Sequence, residues 1–131
     1  MAGQGRVGRN NNNNRHHHKL AAVARGRWGE DLVARAYERA GYRIVARNWR
    51  CELGEIDLVA ARADTVVICE VKARRSDRYG PAAAAVTPAK QARLRRLAAR
   101  WLADTAVSGV TVRFDVAAVT GVQLDIISAA F

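Results

Sequence analysis

The run Val66-Val67-Ile68-Cys69-Glu70-Val71-Lys72-Ala73 constrains this chain more than any other stretch. Its apolar and β-branched content predicts a strand over Val66–Ala73. In a strand, Glu70 and Lys72 leave the face that also carries Val66 and Ile68. A face that reads as buried rarely carries charge unless the charges are paired or bind something. Three readings compete: a charged sheet edge of the kind that blocks aggregation, a structural ion pair, or part of an active site.

The flanking segments supply the frame. Residues 22–40 read as a helix whose stripe holds Leu32, Val33, Ala36, Tyr37 and Ala40. Gly29 falls inside that stripe and would let another element come close. Glu30 lies at the rim of the stripe, whereas Asp31 and Glu38 face water, so Glu30 is the acid placed to look towards the core. Gly41 is the expected stop. Strands are expected at Tyr42–Arg50, Glu55–Ala61 and Val66–Ala73. Thr87-Pro88 then opens a helix over 88–104, as N-cap and first helical residue. That helix would bury Leu94, Leu97, Ala98 and Trp101, with Lys90 and Gln91 at the N-terminal end of the same face. Val110–Val119 and Val122–Ile127 complete the order α-β-β-β-α-β-β. The fold class is α/β.

Length and charge narrow the partners. The 131 residues suit one domain. Basic residues number 22 against 12 acidic ones, a net charge of +10. The expected partner is therefore a polyanion, nucleic acid before an anionic membrane surface. Residues 1–19 read as a disordered basic tail with low-complexity Asn10–Asn14 and His16–His18. Adjacent histidines on a floppy chain do not fix a metal geometry. Residues 20–131 form the single domain. Cys51 and Cys69 are too few for a disulfide framework, and Cys69 reads as a small buried hydrophobe. The chain shows neither a signal-peptide pattern nor an apolar run of membrane-span length. The expected compartment is the cytoplasm, with no membrane partner. Trp28, Trp49 and Trp101 read as core or rim residues rather than base-stacking platforms.

The register of the central hairpin decides what Glu70 faces. A four-residue loop Arg62–Thr65, or a two-residue loop at Ala63-Asp64, sets Asp57 opposite Glu70 on one face. An odd loop length would set Asp57 against Cys69 instead. Two opposed carboxylates repel, and a divalent cation between them removes the repulsion. Hard oxygen donors of this kind suit Mg²⁺. Lys72, one side-chain repeat along, would orient water or stabilise developing charge in phosphodiester hydrolysis. Glu30 would complete the ligand set or hold a second ion. Base usage agrees: among 19 arginines the only lysines are Lys19, Lys72 and Lys90. At Lys72 and Lys90 a compact ammonium would serve where a planar guanidinium would not. Arg74, Arg75 and Arg78, just after the motif strand, read as a phosphate-contacting loop.

Asp57, then Glu70-Val71-Lys72 on a hairpin, resembles the PD-(D/E)xK signature of restriction-endonuclease-like nucleases. The blocks GRWGEDLVARAYERAGYRIVARNWR, GEIDLVA, EVKARRSDRYG and AVTPAKQARL are similar to the YraN family, over about Arg25 to Val119. The resemblance implies a restriction-endonuclease-like mixed sheet flanked by helices. It makes Asp57 and Glu70 metal-ligand carboxylates, Lys72 the catalytic lysine and Glu30 the helical glutamate of the site. Lys90 and Gln91 match polar positions of the family. Ile56 departs from the signature, standing where it has proline. The expected activity is Mg²⁺- or Mn²⁺-dependent hydrolysis of DNA, with Arg74, Arg75, Arg78, Lys90 and Arg93 on phosphates. A noncatalytic nucleic-acid-binding protein on the same fold is the alternative. A homodimer is left open.

Overall fold

The computed structural model describes residues 26–74 and 80–131. The tail 1–19, the first residues of the expected helix, and Arg75 and Arg78 lie outside the described residues. The chain runs α1 (26–39), β1 (Arg43–Cys51), β2 (Gly54–Arg62), β3 (Thr65–Arg74), a short 3-10 turn (Ala82–Ala85), α2 (Pro88–Asp104), β4 (Thr111–Thr120) and β5 (Gln123–Ile127). The five strands form one sheet in the order β1-β2-β3-β4-β5. All neighbours are antiparallel except β3 and β4, which run parallel. A parallel pair needs a long crossover, and α2 supplies it.

Alternation along the strands sends side chains to two cores. Ile56, Val59, Val66, Ile68, Phe114 and Val116 pack beneath Leu94, Leu97, Ala98 and Trp101 of α2. Leu58, Ala60, Val67, Cys69, Ala117 and Val119 pack beneath Val33, Ala34 and Tyr37 of α1. Four successive residues of β3, Val66 to Cys69, are buried, as expected of a central strand covered on both faces. The four α2 residues read from the sequence are the four that are buried. In α1, Ala34 takes the place expected of Ala40. Ala40 is exposed because the helix turns out at Gly41, φ +90, where the Tyr42 N–H closes on Tyr37 O at 2.9 Å. At Gly29 an added Cβ would meet Ala73 and Val119 at 3.6 Å, ordinary contact, so the approach admits a methyl group but little more. Trp101 is core, Trp49 lies at the edge of the same core and Trp28 is exposed.

A buried charge ties the α1 side together. Asp115 of β4 is fully buried. Its carboxylate accepts from Tyr37 Oη at 2.6 Å, from Arg113 Nε and a second Arg113 nitrogen at 2.9 Å each, and from the Ala129 N–H at 3.0 Å. Arg113 also donates to Tyr42 Oη at 3.1 Å. Burial and the adjoining acids raise the Tyr37 hydroxyl far above its ordinary range, which keeps it a donor. One carboxylate thus joins α1, β4 and the segment after β5. Among the described residues no helix is long and apolar enough to cross a membrane.

Removing one partner of a fully buried pair costs about 3–5 kcal/mol, and the partial exposure of Arg113 puts the loss here near the low end, about 3 kcal/mol. Asp115→Ala is therefore expected to lower stability by about that amount, and Tyr37→Phe by about 1 kcal/mol. Denaturant midpoints at a constant m-value check both. An Asp115→Ala midpoint equal to the wild type would show the network to be dispensable.

Candidate active site

The β2–β3 hairpin closes on the two-residue turn Ala63-Asp64, with Arg62 paired to Thr65 and Ala61 to Val66. Ala63 adopts φ +51 there. The register is the one that brings Asp57 and Glu70 together, but the two acids are not themselves a ladder pair. Regular pairing stops one step earlier, at Leu58–Cys69. Asp57 Oδ2 reaches across and accepts the Val71 N–H at 2.9 Å. The phase of β2 changes at this point: Ile56 and Val59 both join the α2-side core, whereas Leu58 faces α1. Asp57 stands at the slip and projects into the gap where the strands part.

Glu70 and Lys72 share a face, as strand geometry requires. They form an ion pair at 3.3 Å with side chains 19% and 26% exposed. Across from the acids stands the first half of α2. Thr87 caps it, its Oγ1 accepting the Lys90 N–H at 3.3 Å, and Pro88 fills the first turn. A cleft of about 350 Å³ runs between, lined by Gly54, Glu55, Asp57 and Glu70 on the sheet side and Val86, Lys90, Arg93 and Leu94 on the other. Gly54 has φ +138, a backbone that side-chain-bearing residues rarely adopt, and a Cβ added there would meet Leu97 and Arg93. Neither Lys90 nor Arg93 pairs with a carboxylate among the described residues. Acids thus face two basic side chains across an open groove.

The remaining sequence-predicted residues divide. Glu30 comes near Asp57 and adds to its negative surroundings. Its Oε2 is held by Asn48 Nδ2 at 2.9 Å, with Arg47 at 3.7 Å. No three His, Cys, Asp or Glu side chains form a ready-made ligand cluster among the described residues. Asp57 and Glu70 are the acids brought together, with Glu30 adjacent. Gln91 donates to Val86 O at 3.1 Å and braces the helix entrance rather than lining the cleft. Arg74 donates to the carbonyls of Gly80 and Pro81 and closes the base of its loop. It borders a separate hollow with Ala118, Asp125 and Ile127. Sequence reasoning missed Asn48, Arg47, Glu55 and Gly54. The signal for Asn48 was the break in alternation at Arg47-Asn48.

Burial first, and the Glu70 charge second, push the Asp57 carboxyl from 3.8 up to about 7, with the Val71 N–H opposing. A half-buried acid pair with one ammonium for two carboxylates fits a hard divalent cation, which would relieve both causes at once. The stability consequence has a definite sign. A raised carboxyl favours the fold below its unfolded value near 3.8, and that contribution is lost as pH rises through about 7. Asp57→Asn removes the penalty yet keeps an oxygen for the Val71 N–H. Without metal, its melting temperature is expected to exceed wild type by several degrees at about pH 8 and to match it at about pH 4. A variant less stable than wild type at the higher pH would contradict the strained pair.

Known proteins resemble this chain over the whole of that framework. A family model described as uncharacterised protein family UPF0102 matches residues 29–119. A UPF0102 protein of Frankia casuarinae is 53% identical over 96 residues, 73% of this chain and 81% of that relative. One of Kineococcus radiotolerans is 52% identical over 101 residues, 76% and 83% of the two chains. One of Syntrophus aciditrophicus is 43% identical over 110 residues, 81% and 87%. The family match includes Glu30, Asp57, Glu70, Lys72, Lys90 and Arg93. The chain belongs to the uncharacterised protein family UPF0102, the YraN-like family that its sequence blocks resemble.

Proposed function

We propose that the protein is a divalent-metal-dependent nuclease of the restriction-endonuclease-like fold, hydrolysing phosphodiester bonds of DNA with Mg²⁺ or Mn²⁺. The observation that supports this reading is the nearness of Asp57 and Glu70 in one cleft where the β2–β3 ladder ends, with Lys72 paired to Glu70 and Lys90 and Arg93 opposite. The sheet supports it: an antiparallel β1-β2-β3 meander, a helical crossover and a parallel β4 put the acid-bearing strands at the centre.

Asp57 and Glu70 would hold the cation, which supplies Lewis-acid polarisation of the phosphate and lowers the pKa of the attacking water. Lys72 turns its ammonium towards the same point and stabilises charge that develops on the phosphate oxygens. Lys90 and Arg93 on the far wall, without a carboxylate partner among the described residues, would hold flanking phosphates of a backbone lying along the groove. Arg75 and Arg78, which follow β3 in the sequence and lie outside the described residues, are the further phosphate contacts expected from sequence. Arg74 is the weaker candidate, because two backbone carbonyls already use its guanidinium. Glu30 adds negative charge at the rim. The overall charge of +10 draws a polyanion towards an otherwise acidic floor.

The alternative, a noncatalytic nucleic-acid-binding protein, draws on the same cations and on the lack of a third ligand closing on Asp57 and Glu70 among the described residues. Two measurements separate the readings. Millimolar Mg²⁺ or Mn²⁺ is expected to raise the melting temperature of the wild type, because only the folded state gathers the acids. Linear, nicked and branched DNA is expected to be cut with metal, and Asp57→Ala or Lys72→Ala to slow cutting by about 100-fold or more. Cleavage that persists at wild-type rate in both variants belongs to a contaminant. Salt-dependent binding with neither a metal shift nor cleavage would favour the alternative.

A further inference from the structure

Asn48 has φ +52 in the middle of β1. Among residues other than glycine, asparagine and aspartate enter this left-handed region most readily. A strand gains nothing for its ladder from such a residue, and the conformation persists only where the surroundings fix it. What Asn48 gains is a contact with α1: its Nδ2 donates to Glu30 Oε2 at 2.9 Å. The β1–β2 register, Arg47 with Leu58 and Trp49 with Ile56, brackets Asn48 against Asp57. One residue therefore touches the helical glutamate and stands across the ladder from the central aspartate.

The neighbouring charges make the amide the important donor. Arg47 spends its closer contact on Asp31, at 2.7 Å, and stays 3.7 Å from Glu30. The Glu30 side chain is 14% exposed, against 45% for Asp31. An amide orients a carboxylate without cancelling its charge, whereas a close guanidinium would neutralise it. Asn48 is thus the closer partner of the Glu30 carboxylate, with the Arg47 guanidinium farther off.

We propose that Asn48 is a positioning residue, holding the Glu30 carboxylate beside Asp57 as the outer member of the acidic set that binds a divalent cation. The proposal rests on the reading of Asp57 and Glu70 as cation ligands. Asn48→Gly keeps a residue suited to the left-handed backbone and deletes the donor. Asn48→Asp keeps size and backbone tolerance and replaces the donor with an acceptor.

Calorimetric titration of the full chain with Mn²⁺ tests it. Both variants are expected to bind Mn²⁺ about tenfold more weakly, the scale of losing a partner that orients a metal ligand. The melting temperature of Asn48→Gly without metal should stay close to wild type. In a Glu30→Ala background, Asn48→Gly should bring no further loss, because Asn48 acts through Glu30. Wild-type Mn²⁺ affinity in Asn48→Gly, or losses that add in full with Glu30→Ala, would overturn the proposal. If the wild-type chain itself binds no Mn²⁺, the reading of Asp57 and Glu70 falls and this proposal with it. If the wild type binds and the Asn48 variants match it, only the role of Asn48 falls.

Discussion

The Val71 N–H, which a regular ladder would give to a carbonyl of β2, goes instead to the side chain of Asp57 at 2.9 Å. That exchange ends the β2–β3 pairing at Leu58–Cys69 and opens a gap in the middle of an otherwise continuous sheet. A backbone donor is thereby satisfied by a side chain in place of a backbone acceptor. The gap admits two carboxylates and one ammonium where a closed ladder would admit apolar side chains. The same exchange buries Asp57 beside Glu70, and burial is the larger cause of its raised ionisation. A chain of net charge +10 thus carries an acidic floor at its centre, with Lys90 and Arg93 on the facing wall.

The rest of the fold keeps that opening in place. α2 crosses from β3 to β4, and its first turn faces the acids because Thr87 and Pro88 start the helix at that point. On the other face, Asp115 draws Tyr37 and Arg113 together and anchors α1. α1 in turn carries Glu30 to the rim, where Asn48 meets it. The turn between β1 and β2 is pinned to α2 as well: Glu52 pairs with Arg100. A buried ion network is weak evidence for stability in itself, yet it fixes the helix that carries Glu30.

Much of this was legible from pattern. Period-two alternation and the Thr87-Pro88 start located the strands and α2 to within a residue or two, because those elements bury one face each. The α1 stripe erred at its end, since a helical wheel does not register where Gly41 turns the chain out of the core. From sequence Asp57 and Glu70 fell together only if the loop length was even, and the two-residue turn Ala63-Asp64 decides it. That Asp57 accepts the Val71 N–H instead of standing in a ladder pair with Glu70 could not be read, because it depends on where the pairing of two strands stops. The role of Asp115 left no local signal, because only tertiary packing brings Tyr37 and Ala129 to it from 78 and 14 positions away. The Arg74 assignment rested on sequence proximity to the motif, and the fold turns that guanidinium back onto its own loop.

The most direct test of the central claim is crystallographic. Crystals grown with Mn²⁺ and measured at its absorption edge locate the ion independently of any activity. The account predicts one anomalous peak between the Asp57 and Glu70 carboxylates, at about 2.0–2.3 Å from an oxygen of each, and none in an Asp57→Ala crystal. A peak elsewhere, or a well-ordered acid pair with no Mn²⁺ between its members at millimolar concentration, would contradict it.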